Sequence, residues 1–433
     1  MINILRYIFF IFFLSYCSFH DSGGFWTKEK EIEQNEIQFK KVFLDKEIIT
    51  REFNSNFKIS LNKSNIKFNE NSIKDNNDGY TVFDNQLKTK IKYNFSKIKN
   101  FEKLDPNLII LDKNIIFFDN KGNILNFDQD SKLIWKINNY SIEEKKIGPL
   151  LTMVQNDKKL IIADNLAKTY AIDLKSGKIL WTKKNLASFN SQIKVSKNKF
   201  FISDVNNNLH CFSLNSGDLI WTHSTEKPFI SSSKKLSIIL KKDLIVFSNS
   251  FGDITAVDLN KGTLVWQIST LNSDMYEEIM KLKTSNIVEN ENSIYFSNNK
   301  GKFYSIDLKT GAVNWIQNFS SELRPTIINN LIFSISEDGY LYVLEKKSGN
   351  ILRITNILKQ YKFNKKEKNF STGFILNSKK IFVSTNDGSL IVINIETGKI
   401  INAIKVDKGK ISRPFANKKN IFLIRADSII KLN

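Results

Sequence analysis

Three histidines, His20, His210 and His223, are the side chains of this chain best suited to bind a metal or carry a proton near neutral pH. Their spacing supports neither role. None has a partner at metal-ligand spacing, and each reads as a surface or packing residue. The two cysteines, Cys17 and Cys211, make no Cys-x-x-Cys pair and no disulfide framework. Glu277 and Glu278 are adjacent, so on a strand they would point to opposite faces instead of working as a pair. There is no Walker loop, no G-x-S-x-G elbow and no H-E-x-x-H sequence. The reading is of a non-enzyme with no catalytic residues, no metal, no cofactor and no small-molecule substrate.

Charge points to no ligand either. Lys plus Arg number 64 against 44 Asp plus Glu, a net charge of +20. Such an excess suits a nucleic-acid or anionic-membrane partner. Arg, however, supplies only Arg6, Arg51, Arg324, Arg353, Arg413 and Arg425, and the planar Arg fork is what phosphate and base-edge recognition favours. A Lys-rich solvated surface, with no nucleic-acid partner, is the simpler expectation.

Cys17 has a use of its own. "MINILRYIFFIFFLSYC" carries one positive charge, Arg6, followed by an apolar run that is shorter than the roughly 20 residues of a membrane-spanning helix. That pattern fits the core of a secretory signal. The closing "LSYC" resembles the lipobox of bacterial lipoproteins, with Leu14 and Ser15 matching and Tyr16 where a small residue is usual. The resemblance implies removal of residues 1–16 as a signal peptide and lipidation of Cys17. Ser18 as the next residue implies sorting to the periplasmic face of the outer membrane.

The elements that would carry any site are repeated. "TYAIDLKSGKILW", "LHCFSLNSGDLIW", "ITAVDLNKGTLVW" and "KFYSIDLKTGAVNW" end at Trp181, Trp221, Trp266 and Trp315, and a weaker copy ends at Trp135. Two later copies keep the turn but place Arg353 and Asn402 where the Trp stood. The turn glycines recur at a period of about 40–50 residues, the mark of stacked or radial β-units. A further strand precedes each copy, joined through a Gly or Asn turn, and the segments between units supply a fourth. Seven whole units are visible. The chain then ends in two strands, and "LKTKIKYNFS" (87–96) is the candidate to complete that last sheet. The expectation is an all-β, eight-bladed β-propeller of four-stranded antiparallel blades over residues 87–433, closed by N- and C-terminal strands sharing one blade. Residues 17–86 form a tether and an unassigned polar stretch. Trp135, Trp181, Trp221, Trp266 and Trp315 are expected to pack between blades.

The strand, D-x-x-x-G turn and terminal Trp resemble the PQQ-like β-propeller repeat, over roughly residues 105–433. Within that family the single propeller and the Cys17 motif are most similar to the BamB type, a lipoprotein that scaffolds β-barrel assembly in the outer membrane. The resemblance implies docking to a BamA-like barrel insertase and its associated lipoproteins. The alternatives are a PQQ-dependent oxidoreductase, or an envelope propeller that binds glycans or another partner. Two long connections carry apolar residues among polar ones, as a docking patch does. They are "KPFISSSKKL", with Pro228, Phe229, Ile230 and Ser231, and "DMYEEIMKLK", with Met275, Tyr276, Ile279 and Met280.

Overall fold

A computed structural model of the chain describes residues 51–61, 76–88, 90–270, 282–361 and 368–433. Residues 48–433 form one compact unit. Its architecture is the eight-bladed β-propeller, built from eight four-stranded antiparallel sheets. Cys17 and residues 1–16 lie outside the described residues.

The third blade shows how sequence becomes structure. Its strands are Lys194–Ser196, Lys199–Ser203, Asn208–Ser213 and Leu219–Ser224, hydrogen-bonded in that order. Phe200, Phe201 and Ile202 in the second strand are fully buried, because both faces of the sheet are covered by neighbouring blades. The fourth strand instead exposes most of its residues, so it is the outer edge. First strands of neighbouring blades touch one another and therefore line the central channel.

One irregularity recurs at the same place in seven blades. Pairing of the third with the fourth strand slips by one residue just before the Trp position. In the third blade Cys211 faces Trp221 and Phe212 faces Leu219, which leaves Ile220 as the extra residue. A bulge of this kind re-aims a side chain. Here it leaves two consecutive aliphatic residues, Leu219 and Ile220, facing solvent and leaves the Trp against the next blade.

The eighth blade closes the ring. Lys90–Asn94 pairs antiparallel with Ser428–Leu432, from Lys90 opposite Leu432 to Asn94 opposite Ser428. Ile421–Arg425 and Phe415–Ala416 complete the sheet. Buried Tyr93 carries the seam into the first blade, packing edge-on to Phe127 and donating its hydroxyl to Gln129 O at 2.9 Å.

The chain N-terminal to residue 87 contributes to the same unit. Phe53 bridges to Ile354 on the outer strand of the sixth blade. Residues 76–88 enter the channel, leave it along the seventh blade and lead into the closing strand. Leu376 N donates to Gly79 O and Thr81 N donates to Leu376 O, both at 2.9 Å, and Lys88 N donates to Asn433 O at 2.7 Å. Phe83 is fully buried against Phe382.

Candidate functional site

Three features set by the repeat could serve function: the contacts between blades, the funnel at the axis and the rim around it. Each Trp lies against the turn glycine of the following blade, Trp135 on Gly177 and so on to Trp315 on Gly349. At Gly349, φ is +74° and an added Cβ would sit 2.5 Å from the indole, so both backbone and space require glycine. The indole N–H donates to the carbonyl just after the third strand's last residue: Trp135 to Leu174 O at 3.1 Å, Trp181 to Leu214 O at 3.2 Å, Trp266 to Leu308 O at 3.1 Å and Trp315 to Lys346 O at 3.1 Å. Trp221 packs on Gly262 in the same way, but its buried indole N–H has no acceptor.

Arg353 takes the Trp position in the sixth blade and makes the same link by other means. It is 0% exposed. Its guanidinium donates to Ile395 O at 2.9 Å, the equivalent carbonyl, and also to Glu396 O at 2.5 Å and Phe57 O at 3.1 Å. Burial pushes its pKa down to about 10. One side chain thus joins two blades and the 51–61 segment.

At the axis, Asn76 touches three inner strands at once. Its side chain donates to Leu240 O at 2.8 Å and accepts from Lys194 at 3.4 Å, and its carbonyl accepts from Glu289 N at 3.4 Å. Two residues on, the Asp78 side chain is only 6% exposed and is clamped by Arg324 at 2.9 Å and Arg413 at 2.8 Å. Burial pushes the Asp78 carboxyl up, but the two guanidiniums outweigh it and hold the pKa at about 2, against an ordinary 3.8. These arginines precede the inner strands of the sixth and eighth blades, so Asp78 ties together the two blades that flank the seventh.

The described connections from an outer strand to the next inner strand emerge on this face. Those after the first three blades expose large apolar residues: Ile142 and Ile147 on the short helix Ile142–Ile147, then Leu186, then Phe229 and Ile230. Phe229 is 85% exposed. The result is an apolar arc along one side of the funnel mouth, broader than a lone exposed residue needs.

Residues 120–355 match the family described as "Outer membrane protein assembly factor BamB". That is more than half of the chain. The chain belongs to the BamB family. A curated relative, outer membrane protein assembly factor BamB of Moranella endobia (strain PCIT), is 22% identical over 259 residues, which is 59% of this chain. This chain spans 64% of that relative's length. Among solved structures, BamB from Moraxella catarrhalis superposes with a TM-score of 0.64 at 18% identity, covering 79% of this chain and 99% of the other. The computationally designed Ika8 protein superposes at 0.60 with 12% identity, over 78% and 99% of the two chains. These likenesses concern the fold.

The residues singled out from sequence fall differently on this BamB-family ring. Phe229 and Ile230 are exposed at the rim, whereas Pro228 is buried beneath them and Ser231 donates its hydroxyl inward to Val205 O at 2.8 Å. Met275, Tyr276, Ile279 and Met280 lie outside the described residues. Ile142, Ile147 and Leu186 carry no sequence signal of exposure, since each is a single large aliphatic residue with no apolar cluster directly beside it to mark a patch. In sequence Arg353 is only a departure from the Trp pattern, and the axial Asp78 clamp has no sequence pattern at all.

The groups with chemical potential are engaged in architecture. His210 lies 3.1 Å from Asp204 and 2.9 Å from Thr222, an order that looks like a nucleophile, base and orienting acid. Yet Asp204 accepts from Asn206 N and Asn208 N, just as Asp119 accepts from Lys121 N and Asn123 N, and Asp164 from Leu166 N and Lys168 N. It is the repeated clamp of the turn between the second and third strands, and His210 braces it. Burial pushes the Cys211 thiol up to about 11, which keeps it protonated. Among the described residues no three His, Cys, Asp or Glu side chains are grouped to hold a metal ion, and no helix is long and apolar enough to cross a membrane.

Proposed function

We propose that this chain is a non-catalytic scaffold of the outer-membrane β-barrel assembly machinery. It docks to a BamA-like barrel insertase through the connections on the funnel face. The observation that carries this reading is the apolar arc of Ile142, Ile147, Leu186, Phe229 and Ile230 on three successive connections of one rim. Exposed aromatic and aliphatic side chains in such a patch are what a partner buries as an anchor. The BamB family membership supplies the kind of partner. The proposal includes loss of residues 1–16 as a signal peptide and a lipid on Cys17 that holds the propeller at the periplasmic face of the outer membrane. Several acyl chains on one residue hold firmly where a single chain holds weakly.

The test is affinity capture of the chain from gently solubilised native membranes, with mass spectrometry of what accompanies it and of Cys17 itself. A large β-barrel protein and further lipoproteins are expected in the eluate, with an acylated Cys17 at the N-terminus. Recovery of the chain with no barrel protein would overturn the scaffold reading, and an intact, unmodified residue 1–17 segment would overturn the anchor.

A further inference from the structure

We infer that the funnel mouth is a binding site for an acidic, extended peptide segment of a partner. The inference rests on the funnel face being a docking face, and the experiment below separates the two.

The mouth holds more positive than negative charge among its described residues. Arg324, Arg413 and Lys194 surround Asp78. Above them Lys234, Lys235, Lys283 and Lys410 converge from the fourth, fifth and eighth blades. The carboxylates that face these lysines are Glu102, Asp105 and Glu322. Of the four lysines, Lys283 pairs with a carboxylate, Glu322, at 3.1 Å. The other three ammonium groups reach backbone carbonyls of other connections: Lys234 to Glu322 O, Lys235 to Asp105 O at 3.4 Å, and Lys410 to Glu102 O at 2.5 Å. Burial pushes the pKa of all three down, and the nearby carboxylates only partly offset it. Cations gathered in a concave funnel focus a positive potential that attracts anions.

The chain's own occupant shows which anion fits. The 76–83 segment already lies in the channel and bonds backbone to backbone with Leu376. It places one carboxylate, Asp78, between two guanidiniums. The channel therefore accepts a peptide backbone, and its cations accept a side-chain carboxylate. A partner segment with two or three Asp or Glu residues would extend that pattern from Asp78 outward to Lys234, Lys235 and Lys410. Phe229 and Ile230 stand on the same connection as Lys234 and Lys235, so an apolar contact at the lip and an acidic contact inside the funnel would occur together.

The experiment uses the full chain and a fluorescent, terminally blocked peptide of alternating Asp and Gly, with an Asn–Gly peptide as control. Anisotropy should show saturable binding of the acidic peptide alone, weakened by added salt. Lys235→Gln with Lys410→Gln should weaken it at least about tenfold, since two charge-assisted contacts are lost. Lys235→Arg with Lys410→Arg should restore it, which separates lost charge from lost folding. Equal binding of both peptides, or of wild type and the double Gln variant, would overturn the inference. So would phosphatidylglycerol vesicles binding in place of the peptide with the same dependence on Lys235 and Lys410. If Phe229→Ala with Ile230→Ala abolishes membrane capture while the acidic peptide fails to bind, docking stands and this inference falls. Binding of the peptide with no barrel protein captured gives the reverse.

Discussion

The ring and its axis are held together by opposite strategies. Around the ring the same link is made again and again: a bulged outer strand, an aromatic side chain, the next blade's turn glycine and one carbonyl. At the axis one segment makes contacts not repeated elsewhere among the described residues, and Asp78 reaches arginines more than 240 positions away in sequence. The repeated link uses apolar area and tolerates variation, since Trp221 leaves its N–H unpaired and Arg353 replaces the indole outright. The axial clamp uses charge and tolerates little, because removing one partner leaves buried charge uncompensated.

The largest expected effect lies in the ring. Trp315→Ala removes an indole stacked on Phe303 and seated on Gly349, and should cost about 3 kcal/mol in denaturant unfolding. Arg353→Ala should cost about 2 kcal/mol through the carbonyls it leaves unpaired. It should also speed proteolysis within 51–61, which Trp315→Ala should not do. Equal proteolysis in the two variants would break the distinction drawn for Arg353.

Asp78→Asn comes next, at about 2 kcal/mol near neutral pH, the worth of a fall from 3.8 to about 2 in its pKa. The lowered value gives the sign. This stabilisation is fully present above about pH 4 and is lost as the pH falls from about 4 towards 2. Wild type and Asp78→Asn should therefore converge in stability across that window, while Trp315→Ala stays lower by a constant amount. Parallel pH profiles for wild type and Asp78→Asn would contradict the clamp.

The smallest effect on stability belongs to the rim. Phe229→Ala should change unfolding free energy by less than about 0.5 kcal/mol, as for other exposed sites. It should nonetheless reduce recovery of the barrel partner.

This contrast also explains what sequence could show. The Trp, the D-x-x-x-G turn and the closing strand at 87–96 are legible because each repeats or completes a repeat, so pattern alone identifies them. Position 353 breaks the pattern in residue type but not in role, and only geometry shows that a guanidinium reaches the carbonyl an indole would have reached. The axial segment is local sequence without periodicity, and its partners lie too far along the chain for spacing arguments. A weak signal existed. In a chain with 64 basic residues and so few arginines, Arg324, Arg353 and Arg413 all sit where a forked donor meets a carboxylate or several carbonyls. Scarcity of Arg therefore marks structural use as well as arguing against nucleic acid. The funnel lysines stayed hidden for the opposite reason, since Lys234, Lys235 and Lys410 are unremarked members of an abundant type.

The central claim is that the funnel face meets a barrel partner through its apolar arc. It is tested most directly by a photo-reactive amino acid placed at Phe229 in the full chain, activated in intact native envelopes. The account predicts one dominant cross-linked product containing an outer-membrane β-barrel protein, absent when the same group replaces exposed Ile401 on the outer strand of the seventh blade. The same products from both positions, or none from Phe229, would contradict it.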